Sequence, residues 1–238
     1  MRYLYLFMLL VSPYTWANNE FTQHLHHTAK AMSALYMYEL SEGDPQFLTQ
    51  FEQHISAARR TLNNSSKIER ALFLKRWNTF SPHWKFTYIK SMDSLNLDIV
   101  VRNNARQYLT DIFLHASSLP SNRIENTKKI HEIVLYSAIL SARSLDLISA
   151  HEGSSALSEH DRKIKVLSLA KTVHSNINYL LRQATSKKLR RRLLKVKSQF
   201  DFISRYITDY DHKTPYFLMY RSVITMSQLL TIDSQKGS

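Results

Sequence analysis

Glycine stands only at positions 43, 153 and 237 of this 238-residue chain, and that scarcity restricts its fold more than any other feature. Tight β-hairpins use glycine for backbone conformations at positive φ, so a sheet-rich fold would have too few places to turn. No long stretch alternates apolar with polar residues, whereas apolar residues recur every three to four positions along most of the chain. The class expected is therefore all-α: an antiparallel multi-helix bundle of seven to nine helices, with a degenerate α-solenoid as the alternative. No repeat of 20 to 50 residues agrees position by position, which leaves a consensus solenoid without support.

The punctuation marks the helices. The first is expected from about Glu20 to Leu40, with Phe21, Leu25, Ala29, Met32, Tyr36 and Leu40 on one stripe and Gly43 closing it. Asp44-Pro45 has the cap-then-proline order that starts a second helix carrying Phe47, Phe51, Ile55, Ala58 and Leu62. Ser66-Lys67-Ile68-Glu69 matches a capping box and opens a third. Ser81-Pro82 repeats the cap signature, so a fourth helix is expected either to start at Pro82 or to continue from the third through a kink toward Met92, followed by a fifth from about Leu97 to Ala116. A sixth, from about Asn122 to Ala150, is apolar on more than one side and is expected at the centre.

After a loop at Gly153 to Leu157, a seventh helix starts near Ser158 with Val166, Ala170, Val173, Ile177 and Leu180 on one face. The next stripe, Leu189, Leu193, Val196, Phe200, Ile203 and Ile207, is out of phase with it by roughly 140° at about 100° per residue. One straight helix cannot bury both stripes against one partner, which predicts a turn at Gln183 to Ser186, with a long helix whose contact face changes partner as the alternative. A final helix is expected from Tyr216 to Ile232.

The N-terminus points to export. Arg2 precedes nine consecutive apolar residues, Tyr3 to Val11, too few to span a bilayer. Pro13 then breaks the run, and Thr15-Trp16-Ala17 puts small residues where a signal peptidase needs them. Residues 1–17 are read as a cleaved secretory signal peptide and residues 18–238 as a single helical domain, periplasmic or secreted. Cysteine is absent, so disulfides and a lipid-modified N-terminal cysteine are excluded, and stability must come from the core.

The charge is the second clue. With 32 Lys and Arg against 19 Asp and Glu, the chain carries +13 and favours anionic neighbours. The densest run is Lys187, Lys188, Arg190, Arg191, Arg192, Lys195 and Lys197, arranged around a clean apolar stripe, and from Lys187 to Lys195 no compensating acid lies one turn away. These seven residues are the candidate partner- or anion-binding face. Phe73, Trp77, Phe80, Trp84 and Tyr88 follow helical spacing with cations between them; that pattern is commonly core, and if outward-facing, Trp77, Trp84 and Tyr88 would form a stacking surface.

His24 and His27 share a helix face without a third ligand in sequence, and Asp209 to His212 reads as an acidic helix end. Neither makes a metal site. His131-Glu132 and His151-Glu152 lack the second histidine of a zinc-protease helix, and neither a glycine-rich phosphate loop nor Gly-x-Ser-x-Gly occurs. A lone catalytic carboxylate among Glu39, Glu42, Glu52, Glu69, Glu125, Glu132 and Glu159 is not distinguishable by sequence.

The leading expectation is an exported, non-enzymatic binding or accessory protein of the cell envelope. It would dock an acidic protein partner or membrane complex and needs no cofactor. A polyanion binder, for nucleic acid, glycan or lipid head groups, is the second expectation, and an envelope-glycan hydrolase or lyase the third.

Overall fold

Two long helices occupy the centre of the fold, and the rest of the chain wraps around them. The computed structural model describes residues 13–80, 86–89, 94–120, 123–150, 157–208 and 215–231. Helix α1 (Pro13–Leu40) packs against α2 (Pro45–Asn64), α4 (Ile99–Ser118) and α5 (Glu125–Ala150). From Ala31 to Met37 every residue of α1 is buried, so this stretch has no solvent face. Helix α5 is likewise buried from Leu135 to Ser149 apart from the partly exposed Tyr136, which matches the central position expected for it. By length and composition α5 is apolar enough to cross a membrane, but in this fold it is the core helix. The small residues Ala29 and Ser33 face Ser141 across the α1–α5 seam, where the Ser33 hydroxyl donates to Ser141 Oγ at 3.3 Å.

Helix α3 (Lys67–Phe80) closes over α2 and α4, while α6 (Val166–Gln183), α7 (Lys187–Thr208) and α8 (Tyr216–Thr231) form an antiparallel series on the other side of α5. Helix α8 also reaches α1 and α2: the Tyr216 hydroxyl donates to Leu40 O at 3.3 Å, and Phe47 meets the Tyr220 ring edge-on. Contacts of a solenoid stay between sequence neighbours, so the packing of α1 on α5 and α8 makes this a multi-helix bundle.

The helix boundaries follow their chemistry. Gly43, at φ +93°, ends α1 in a conformation that side-chain-bearing residues rarely adopt. Asp44 then accepts from Gln46 N at 2.9 Å, with Pro45 at the first helical position. The capping box of α3 is closed in both directions: Ser66 N donates to Glu69 Oε2 at 2.8 Å and Glu69 N to Ser66 Oγ at 3.3 Å. The break between α6 and α7 falls at residues 184–186, inside the expected turn.

Three expectations need correction. In place of a helix from Pro82 toward Met92, an antiparallel hairpin pairs β1 (Phe86–Ile89) with β2 (Ser94–Leu97), Phe86 opposite Leu97 and Ile89 opposite Ser94. Phe-Thr-Tyr-Ile is a β-branched and aromatic run, and a connection of about four residues does not demand glycine. The hairpin is anchored by Leu97 N, which donates to Glu39 Oε1 of α1 at 2.7 Å. Ahead of α6 the chain makes a 3₁₀ turn at Asp161–Lys163 instead of starting an α-helix near Ser158. The first helix begins earlier than expected, at Pro13. Residues 1–12 of the expected signal peptide, the loop expected at Gly153 to Leu157 up to residue 156, and Asp209 to His212 lie outside the described residues.

Candidate functional site

Helix α7 sorts its residues by face. Leu193, Val196, Phe200, Ile203 and Ile207 are buried against the bundle. Lys187, Lys188, Arg190, Arg191 and Lys195 are exposed, and at about 100° per residue they fall within an arc of roughly 160° opposite that stripe. None of these five side chains has an acidic partner among the described residues. Arg192 and Lys197 sit half-buried at the flanks, and Lys197 Nζ is held by Asp201 Oδ2 at 2.5 Å. Of the seven candidate residues, five thus share one open face and two border it.

That face belongs to a larger basic surface. Residues 157–208 hold thirteen of the chain's Lys and Arg against three Asp and Glu, a net of +10 out of +13. Of those three acids, Asp161 is buried and Asp201 is engaged by Lys197. Lys163, Lys165, Lys171 and Arg182 are exposed on the preceding turn and on α6. Leu194, 49% exposed, lies among the cations of α7 and gives the face an apolar contact point.

The aromatic surface does not form at Trp77, which is fully buried at 0% exposure. Its ring lies edge-on to His24 and tilted on Tyr108, at 5.1 and 5.6 Å between centroids, because α3 turns its aromatic stripe onto α1 and α4. Trp84 lies outside the described residues, and Tyr88 sits on β1 with its side-chain surroundings undescribed.

His24 is a core residue with both ring nitrogens in use. Nδ1 is 2.7 Å from Ala58 O, which can only accept, so Nδ1 carries the hydrogen and Nε2 accepts from the Tyr108 hydroxyl, also at 2.7 Å. It is therefore not free to share a metal with His27. His27 instead lies beside His26 and His54, with ring centroids 5.7 and 5.8 Å apart. Burial, reinforced by Lys30 and Arg60, lowers the His27 pKa to about 4. His54 falls to about 4 for the same first reason, with Lys30 and His27 adding to it. No group of three or more metal-binding side chains occurs among the described residues.

Sequence reasoning missed the buried ionic network. Arg102 of α4 joins Glu39 Oε2 at 2.5 Å and Asp146 Oδ1 at 2.9 Å, and Arg106, one turn on, grips both oxygens of Asp146 at 2.7 and 3.1 Å. Arg143 reaches Thr110 Oγ1 at 2.6 Å and Asp161 O at 3.2 Å. The signal in the sequence was that Arg143 and Asp146 interrupt a helix that is apolar on more than one side. Three arginines meet Glu39, Asp146 and Asp161, so the charges balance, and each of these carboxylates is engaged rather than poised for proton transfer.

No protein-family model matches the chain, and neither a curated protein nor a solved structure proves similar to it.

Proposed function

We propose that this chain is an exported, non-catalytic binding protein of the cell envelope that docks an acidic protein partner through the α6–α7 face. The observation that carries the reading is the concentration of charge: a net +10 on residues 157–208, with five exposed cations of α7 on one side and no acidic partner for them among the described residues. Holding those cations together costs self-repulsion, which an acidic patch on a partner offsets and which steers encounter over several ångströms of solvent. Export supplies the compartment. Cleavage after Ala17 would leave α1 starting at Asn18-Asn19-Glu20, with helix-capping residues first and Glu20 favourable beside the positive end of the helix dipole. The first core residue among the described side chains, Phe21, follows immediately.

The test is affinity capture from the native envelope, comparing the mature protein with a variant carrying Lys188→Glu, Arg191→Glu and Lys195→Glu. These side chains are exposed, so the variant is expected to keep its melting temperature and lose its co-purifying partner. Equal capture by both proteins would remove the proposal. Binding that is instead supported by DNA, glycan or anionic vesicles alone, and that falls steeply with salt, would replace the protein partner with a polyanion.

A further inference from the structure

Lys30 has its stem inside the bundle and its charge unanswered. It projects from α1 into a cleft of about 300 Å³ between α1, α2, α5 and α8. Its lining combines Lys30, Gln50, His54, Tyr220 and the hydroxyls of Ser33, Ser141 and Ser227 with apolar surface from Ala138, Val223 and Ile224. Among the described residues no Asp or Glu lines it.

Two of the polar groups, the Lys30 ammonium and the Gln50 amide nitrogen, can only donate. The ammonium of Lys30 makes no hydrogen bond or ion pair with any described residue, and the charged or titratable groups around it, His26, His27 and His54, add none of negative sign. The Tyr220 hydroxyl donates to Gln50 Oε1 at 2.5 Å, which fixes the amide and leaves its Nε2 hydrogens without a described partner. Taking a cation partly out of water without an anion beside it is unfavourable, and burial accordingly lowers the Lys30 pKa. A cavity of this size suits a ligand of drug-fragment dimensions, and a few converging donors over an apolar wall set its chemistry.

We propose that the cleft binds a small organic carboxylate, with the carboxylate on Lys30 Nζ and Gln50 Nε2 and the apolar part against Ala138 and Val223. Charge complementarity selects an anion, and the apolar wall selects one with a carbon skeleton over an inorganic ion. The site lies apart from the basic face of α7 and does not depend on it.

The experiment is calorimetric titration of the chain near pH 7.5, where His27 and His54 beside Lys30 are neutral, with benzoate, butyrate and inorganic phosphate as probes. Benzoate or butyrate is expected to bind saturably below about 10 mM, with phosphate at least tenfold weaker. Lys30→Met, which keeps the stem and removes the charge, is expected to weaken carboxylate binding by more than tenfold, and Gln50→Leu on the opposite wall by several-fold. Circular dichroism melts show whether each variant folds; should one fail, the other carries the same expectation. The proposal is overturned by absence of saturable carboxylate binding to the unmodified chain, by phosphate binding as tightly as benzoate, or by folded variants that bind unchanged.

Discussion

Asp146 is the residue on which the interior depends most. It lies in the middle of α5, 1% exposed, and accepts hydrogen bonds from Arg102 and Arg106 at once. Its neutral isostere removes the charge and turns one acceptor oxygen into a donor, which leaves two buried guanidinium groups with only Glu39 to answer them. Breaking a buried pair on one side costs roughly 3–5 kcal/mol. Asp146→Asn is therefore expected to lose stability on that scale in urea denaturation, while Lys188→Glu, on the open face of α7, moves it by less than about 0.5 kcal/mol. A loss below about 1 kcal/mol for Asp146→Asn would show the network to be solvated rather than buried. The sequence displays Asp146 and Arg143 as charges in an apolar helix, yet their partners lie on α4 and the 3₁₀ turn. Periodicity reports which face a residue occupies and is silent on which element comes to meet it.

Element boundaries were legible where a side chain closes a local hydrogen bond. The Ser66–Glu69 box, the Asp44–Pro45 start and the out-of-phase stripes on either side of residues 184–186 depend only on neighbours within a few positions, so the sequence contains the whole cause. Ser66→Ala should leave Glu69 N without its acceptor and cost about 1 kcal/mol, read as a lower denaturation midpoint at unchanged m-value. A change in m-value instead would mean that α3 frays as a unit. The β1–β2 hairpin was not legible because its cause is remote. A two-stranded ribbon is marginal alone, and this one is fastened to α1 through Glu39, 58 positions from Leu97 in sequence. Trp77 is buried, as such a stripe commonly is, but its partners were not legible for a related reason: an aromatic stripe at helical spacing looks the same whether it meets solvent or, as here, a histidine and a tyrosine of other helices.

Over the whole molecule, histidine and net charge act together on acid stability. The dense run of cations on α7 was evident from sequence, but the burial of five histidines was not, since it follows from how α1, α2 and α5 stack. Burial lowers the pKa of His24, His27, His54 and His131 to about 4 and that of His26 well below its ordinary value, with repulsion from Lys30, Arg60, Arg123 and neighbouring histidines as the smaller cause. In the unfolded chain these groups take up protons near pH 6.5, whereas in the fold His24, His27, His54 and His131 stay neutral until about pH 4. The unfolded state therefore binds more protons throughout that window, and stability must rise with pH across it. Each histidine of this kind contributes a slope of about 1.4 kcal/mol per pH unit, reduced for the half-exposed His27 and His54 by solvent screening. Every proton taken up also adds to a chain that already carries +13, so unfolding relieves repulsion as well. Urea midpoints measured from pH 7.5 down to pH 4.5 are expected to fall steadily, with a slope steeper than one histidine alone can give. A flat profile over that range would show that these rings are hydrated in the fold, and a slope that vanishes in His24→Gln would assign the whole effect to the His24 ring rather than to the cluster around Lys30.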